Sequence, residues 1–298
     1  MNKGILYSVT VYVLWGFFPI YWKLLQNVPA LQLLGHRIAW SFLMLLGVIF
    51  ITKQWNEFRA TLNAHTFRSY LIAALLIGVN WLTYVWAVNA SFIVETSLGY
   101  FINPLLSVLM GVLFLRERLR PAQWIPVALA AIGVTYLTFA YGQLPWIALL
   151  LAFTFGFYGL VKKLAPLGSL FGLTLETGIL FLPAFIYLGI VESTNTAAFL
   201  HSGITADLLM IGAGLVTTIP LLMFASAAKE IPLTMIGVLQ YIAPTIQFLI
   251  GVFIYKEAFD QSRLIGFGMV WLALIIFWVE NYIANREPLQ PIPEMGEG

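Results

Sequence analysis

The strings INPLLSVLMGVLFLRE (102–117) and IAPTIQFLIGVFIYKE (242–257) decide the fold. At an offset of 140 they bring Ile102 onto Ile242, Pro104 onto Pro244, Gly111 and Val112 onto Gly251 and Val252, and Glu117 onto Glu257. The same offset sets Gly16 and Phe17 on Gly156 and Phe157, and Lys23 on Lys163. Apolar matches are cheap in an apolar chain. Proline and charged matches held at one register across most of each half are not.

The chain around these strings is 61% hydrophobic and 9% charged over 298 residues, where a soluble domain is roughly a quarter charged. With 15 basic and 13 acidic residues it cannot cover a soluble surface. Disordered, collagen-like and nucleic-acid-binding classes fall on the same ground. The expectation is an all-α integral membrane protein. Ten apolar stretches reach the length of about 20 residues that a spanning helix needs: 5–25, 31–51, 70–89, 92–115, 121–140, 144–162, 170–191, 207–228, 232–254 and 263–284. The alternating pattern of a membrane barrel is absent. Lys3 and the apolar run after it resemble a signal peptide, but without a small-x-small cleavage site, so a retained first helix is expected.

Ten spans and a 140-residue repeat give two five-helix halves, 1–141 and 142–284, followed by a polar, disordered tail at 285–298. An odd number of helices per half turns the second half over in the membrane. The expected architecture is therefore an inverted repeat, the usual basis of alternating access. With the N-terminus inside, eleven of the fifteen basic residues fall on the inner side, and only Lys256 and Arg263 fall on the outer. That bias places both termini in the cytoplasm.

Polar groups inside the spans are the candidate functional residues, because each is costly at membrane depth. Lys23, Arg37 and Glu95 sit near the outer ends of spans one, two and four. They form either a charge cluster that binds substrate or a proton, or an Arg37–Glu95 ion pair beside a snorkelling Lys23. Glu176 lies inside span seven, at the repeat position of His36. It either pairs with Lys162 or Lys163, or titrates in proton coupling, a task that also suits His36. Pro104 and Pro244 each free the carbonyl four residues earlier, those of Tyr100 and Gln240. These prolines are candidate gating kinks. Asn103, Gln240 and Gln247 add hydrogen-bonding side chains at similar depth, either lining a cavity or joining helices. Asn80 and Tyr84 share a face of span three near Trp81, while Trp15, Pro19 and Trp22 follow one another along span one. An aromatic pocket and interfacial anchoring both remain open. The candidate substrate-binding set is Asn80, Tyr84, Tyr100, Asn103, Gln240 and Gln247.

The strings HRIAWS (36–41), NWLTYVWAVN (80–89), ETSLGYFINPL (95–105), FYGLVKK (157–163) and TTIPLLMFASA (217–227) span nearly the whole chain. With the doubled fourth-helix pattern, they resemble the EamA family of the drug/metabolite transporter superfamily, and most closely its RarD branch. The resemblance implies a ten-helix carrier of the bacterial inner membrane for small metabolites, amino acids or drugs, often moved outward. It assigns no role to Arg37, Glu95 or Glu176.

The expected function is a secondary transporter with a central site between spans three, four, eight and nine. Its expected partners are a small-molecule substrate and membrane lipids, with proton coupling an open option, no nucleic acid and an open oligomeric state. No cofactor or metal is expected. The chain has no cysteine, and its histidines, His36, His65 and His201, lack ligand spacing. No G-x-x-x-x-G-K-[ST] string points to ATP. The alternatives are a channel or a membrane enzyme acting on a lipid-linked substrate. No G-x-S-x-G or H-E-x-x-H string supports catalysis.

Overall fold

A computed structural model describes residues 2–89, 93–141, 146–256 and 261–284. Among them the chain is all-helical. In order come α1 (Lys3–Leu24), α2 (Ala30–Ile51), α3 (Trp55–Thr61), α4 (Ala64–Asn89), α5 (Ile93–Phe114), α6 (Trp124–Tyr141) and α7 (Trp146–Leu164). Then follow α8 (Ser169–Ser193), α9 (Ile204–Glu230), α10 (Leu233–Gln240), α11 (Ile242–Leu249) and α12 (Gln261–Ala284). Nine stretches among the described residues are long and apolar enough to cross a membrane, and Gly99–Phe114 is a shorter apolar helix. A helix of 22 residues, such as α1 or α2, is roughly 33 Å long at about 1.5 Å per residue. That matches the hydrocarbon thickness of a bilayer. The expected tail at 285–298 lies outside the described residues.

Two features differ from the sequence expectation. The loop before α4 carries a short helix, α3, whose Phe58 is buried against Phe171. The stretch 232–254 is one span but not one regular helix. Its hydrogen-bond ladder is interrupted at Tyr241, which keeps helical φ and ψ (−64° and −14°), and it then loosens into a π-turn over Ile250–Ile254. Pro244 has no N–H to give the Gln240 carbonyl, so the ladder cannot continue through that point. Pro104, at the equivalent place in α5, leaves its helix continuous.

Helices pack closely where glycine removes the side chain. A Cβ on Gly237 of α10 would lie 2.6 Å from the Pro104 carbonyl oxygen of α5. One on Gly16 of α1 would lie 2.6 Å from Ile246 Cβ of α11. The main buried cluster joins Val11 and Tyr12 of α1, Tyr158 of α7, Phe224 of α9, and Leu233 and Ile236 of α10. Large apolar residues such as Leu6, Ile72, Phe139, Phe185 and Ile275 point outward, as expected where lipid is the solvent.

One end of the bundle is tied by charged side chains reaching backbone groups. Arg116 ends α5 in the left-handed region (φ 55°), and Glu117 then extends to α10. Its carboxylate accepts from Leu233 N (2.7 Å) and Thr234 N (2.9 Å). These are orphan donors of a helix start that has no cap of its own. Lys163 Nζ donates to the carbonyls of Ala228 (3.1 Å) and Ile231 (2.7 Å), closing the end of α9. Lys229 Nζ donates to Ala165 O and Leu167 O between α7 and α8. Glu117→Ala is expected to lower stability by about 1–2 kcal/mol, as for loss of a helix cap. Chemical unfolding in detergent measures it, and Asp207→Ala at the opposite end serves as the comparison.

Candidate functional site

A cavity of about 130 Å³ lies within the bundle. α1 supplies Tyr12, Trp15, Phe18, Pro19 and Trp22, and α2 supplies Arg37. α4 contributes Asn80, Trp81 and Tyr84; α5 contributes Gly99, Tyr100 and Asn103. Leu151 and Phe155 come from α7, and Thr217 and Leu221 from α9. Gln240, Ala243, Pro244 and Gln247 complete the wall around the break between α10 and α11. The site is therefore wider than one between spans three, four, eight and nine, because α1, α2 and α7 also line it.

The six residues expected from sequence to contact substrate all line this one cavity. Asn80 Nδ2 is held by Leu151 O (2.8 Å) and Thr154 Oγ1 (2.9 Å). Tyr84 and Tyr100 meet edge-on with ring centroids 5.9 Å apart. Gln240 Oε1 accepts from Ser107 Oγ (3.2 Å), and Gln247 Nε2 donates to Trp15 O (3.0 Å). Two buried atoms in the wall, Asn103 Oδ1 and Tyr12 Oη, have no hydrogen-bond partner.

Of the expected charge cluster, Arg37 alone among the described side chains lines the cavity. Its guanidinium carbon lies 4.7 Å from the Trp22 ring centroid and 4.9 Å from that of Trp81, and Nε donates to Thr217 Oγ1 (3.0 Å). Lys23 is exposed, its Nζ 5.8 Å from the Tyr255 ring. His36 is buried 4.8 Å from the Phe199 ring, outside the cavity wall. Glu176 is buried in an ion pair with Lys162 (2.7 Å) and accepts from Tyr158 Oη (3.0 Å). Lys162 is thus a buried partner rather than a loop charge, and of the two lysines considered for Glu176, Lys163 is engaged elsewhere. The side chain of Glu95 lies outside the described residues, so an Arg37–Glu95 pair has no geometry here.

Below the cavity, Trp15, Phe155, Phe224 and Tyr158 pack ring on ring, with centroid distances of 5.5 to 6.1 Å. Tyr158 links this aromatic floor to the Lys162–Glu176 pair. Sequence reading missed Thr217 and Phe155 as wall residues. Thr217 stands beside Thr218 just before Pro220, a polar pair within an otherwise apolar run. Phe155 is the repeat position of Trp15. These were the available signals.

The model of the EamA-like transporter family matches residues 2–139. The chain is 47% identical over 280 residues to "Uncharacterized transporter YojE" of Bacillus subtilis, covering 93% of each chain. It is 43% identical over 287 residues to "Protein RarD" of Streptomyces exfoliatus, covering 96% of this chain and 91% of that one. A solved crystal structure matches with a TM-score of 0.69 at 19% identity, over 96% of this chain and 99% of the other. With its apolar helices, the chain is a multi-pass membrane protein. It belongs to the EamA-like transporter family, in the RarD branch.

Proposed function

We propose that the chain is a secondary transporter of the bacterial inner membrane that moves a small metabolite or drug-like molecule by alternating access. The reading includes ten spans in two inverted five-helix repeats, 1–141 and 142–284, with both termini in the cytoplasm. Export is the proposed direction, and it rests on the family likeness. Relatives named as transporters support a carrier over an enzyme.

The observation that carries this reading is a cavity lined by repeat-equivalent residues from both halves. Trp15 and Phe155, Trp81 and Leu221, Tyr100 and Gln240, and Asn103 and Ala243 each stand 140 apart, and all eight line it. Other pairs in the same register support the inverted architecture. Gly16 packs on Ile246 as Gly156 packs on Leu106. α1 contacts α9 as α7 contacts α4, and α5 meets α10 while α6 meets α12. Arg116 and Lys256 both take left-handed φ, at 55° and 56°. A site on the axis between two equivalent halves can be exposed to either side as the halves rock.

The broken α10–α11 segment is the proposed hinge. Pro244→Ala restores the missing N–H and favours a continuous helix. Transport is expected to fall about tenfold, equivalent to ~1.4 kcal/mol of barrier, at unchanged membrane level. Pro104→Ala, in an unbroken helix, is expected to do less. Equal transport in wild type and Pro244→Ala removes the hinge.

The carrier is tested by comparing metabolites inside and outside bacterial cells. One strain overexpresses the chain, and the other an Arg37→Gln variant at equal membrane level. A small set of metabolites displaced only by the intact chain is the expected result. No displacement in either direction, with the protein correctly inserted, counts against the reading.

A further inference from the structure

We infer that the cavity binds a small monocarboxylate with a flat apolar body, its carboxylate seated on Arg37. This deepens the carrier reading above and rests on it. Arg37 lies seven residues past the start of α2, roughly 10 Å along the helix axis. At such depth a cation costs several kcal/mol and needs compensation. Elsewhere in the bundle the described charges find it. Glu176 has Lys162, Glu117 has two amide donors, and Lys163 and Lys229 have carbonyls.

Arg37 has a different setting. Trp22 and Trp81 lie within 5 Å of the guanidinium, and cation–π contacts offset part of the cost without neutralising the charge. Thr217, a neutral hydroxyl, takes Nε. No residue of the described cavity wall is Asp or Glu. Nε is thereby engaged, which leaves the terminal Nη pair as the free edge of the group. Two parallel N–H donors in one plane are the complement of a carboxylate. An arriving anion supplies the charge that the described wall lacks.

The rest of the wall describes the ligand's body. Trp15, Trp81, Tyr84 and Phe155 present ring surfaces. The volume of about 130 Å³ compares with the roughly 150 Å³ of an engineered cavity that holds benzene, so one six-membered ring with a carboxylate is the fitting scale. Asn103 Oδ1, buried and unpartnered, accepts from a hydroxyl or amino group on that body.

The test uses the purified full chain at pH 7.5. Benzoate, 4-hydroxybenzoate and indole-3-carboxylate are each compared with the corresponding primary amide by calorimetric binding. At least one acid is expected to bind tenfold or more tightly than its amide, with 4-hydroxybenzoate ahead of benzoate. Arg37→Gln is expected to level acid and amide. Should that variant fail to fold, Thr217→Val, which removes the hydroxyl that holds Nε, is expected to narrow the ratio of acid to amide affinity about threefold. The inference is overturned if no acid outbinds its amide in the wild type, or if the preference survives Arg37→Gln. Saturable flux of a neutral solute in proteoliposomes without acid preference overturns the anion site and leaves the carrier standing. Acid preference without saturable flux upholds the anion site and counts against the carrier.

Discussion

Lys162→Met is expected to destabilise the protein by about 3–5 kcal/mol, because it strands Glu176 as an unpaired buried carboxylate. Lys162 and Glu176 are 2% and 1% exposed and 2.7 Å apart. The Tyr70 and Tyr158 rings lie 5.5 and 5.9 Å from Lys162 Nζ, and Tyr158 also donates to the carboxylate. At that burial, bulk solvent does not replace the lost partner. A double change, Lys162→Met with Glu176→Gln, removes both charges and keeps an acceptor for Tyr158. It is expected to recover more than half of the loss, since replacing a whole buried pair is often nearly neutral. Unfolding of the three variants in detergent measures this. A single variant within about 1 kcal/mol of wild type contradicts it. A double variant as unstable as the single assigns the cost to something other than a stranded charge.

Gly237→Ala is the second large effect. The added Cβ falls 2.6 Å from Pro104 O, 2.9 Å from Val108 Cγ2 and 3.0 Å from Val108 N. Two of these atoms are backbone and cannot turn aside, so α5 and α10 must separate. Overpacking of this kind costs typically about 1–3 kcal/mol. Here it also displaces the helices that carry Tyr100, Asn103 and Gln240, so transport is expected to fall further than stability does. Gly47→Ala is the control. Nothing lies within 4 Å of its Cβ, and alanine there gains up to about 1 kcal/mol of helix propensity. The expected order of thermal midpoints is Gly47→Ala at or above wild type, with Gly237→Ala clearly below. Equal midpoints mean that α5 and α10 do not need this contact.

Much of the helical frame was legible because a bilayer imposes a length and an apolar composition that single stretches must meet alone. The register of 140 was legible because prolines and charges are rare in such stretches. The break at Tyr241 was not. Pro104 and Pro244 carry the same local signal, yet the helix is interrupted only at the second. The site was legible as a set of polar residues and not as an arrangement. Asn80, Tyr100, Asn103 and Gln240 stand out by being polar at depth, and they converge on one cavity. The surroundings of Arg37 come from α1, α4 and α9, whose meeting no local pattern in Trp22, Trp81 or Thr217 announces. Glu176 stood out for the same reason as Arg37. What separates them is Lys162, two turns up α7 from Phe155, turned towards α8 rather than outward.

Rocking of the two halves opens one cavity alternately to the two sides of the membrane in the proposed cycle. The chain has no cysteine, so a single introduced thiol reports cleanly. Phe18 lines the cavity and is half-buried. Phe18→Cys would be labelled with a membrane-impermeant maleimide in right-side-out and inside-out vesicles, with and without a transported solute. Labelling is expected from both sides, with the solute raising the rate on one side and lowering it on the other. Labelling confined to one side under every condition, or rates on both sides that a solute leaves unchanged, contradicts alternating access.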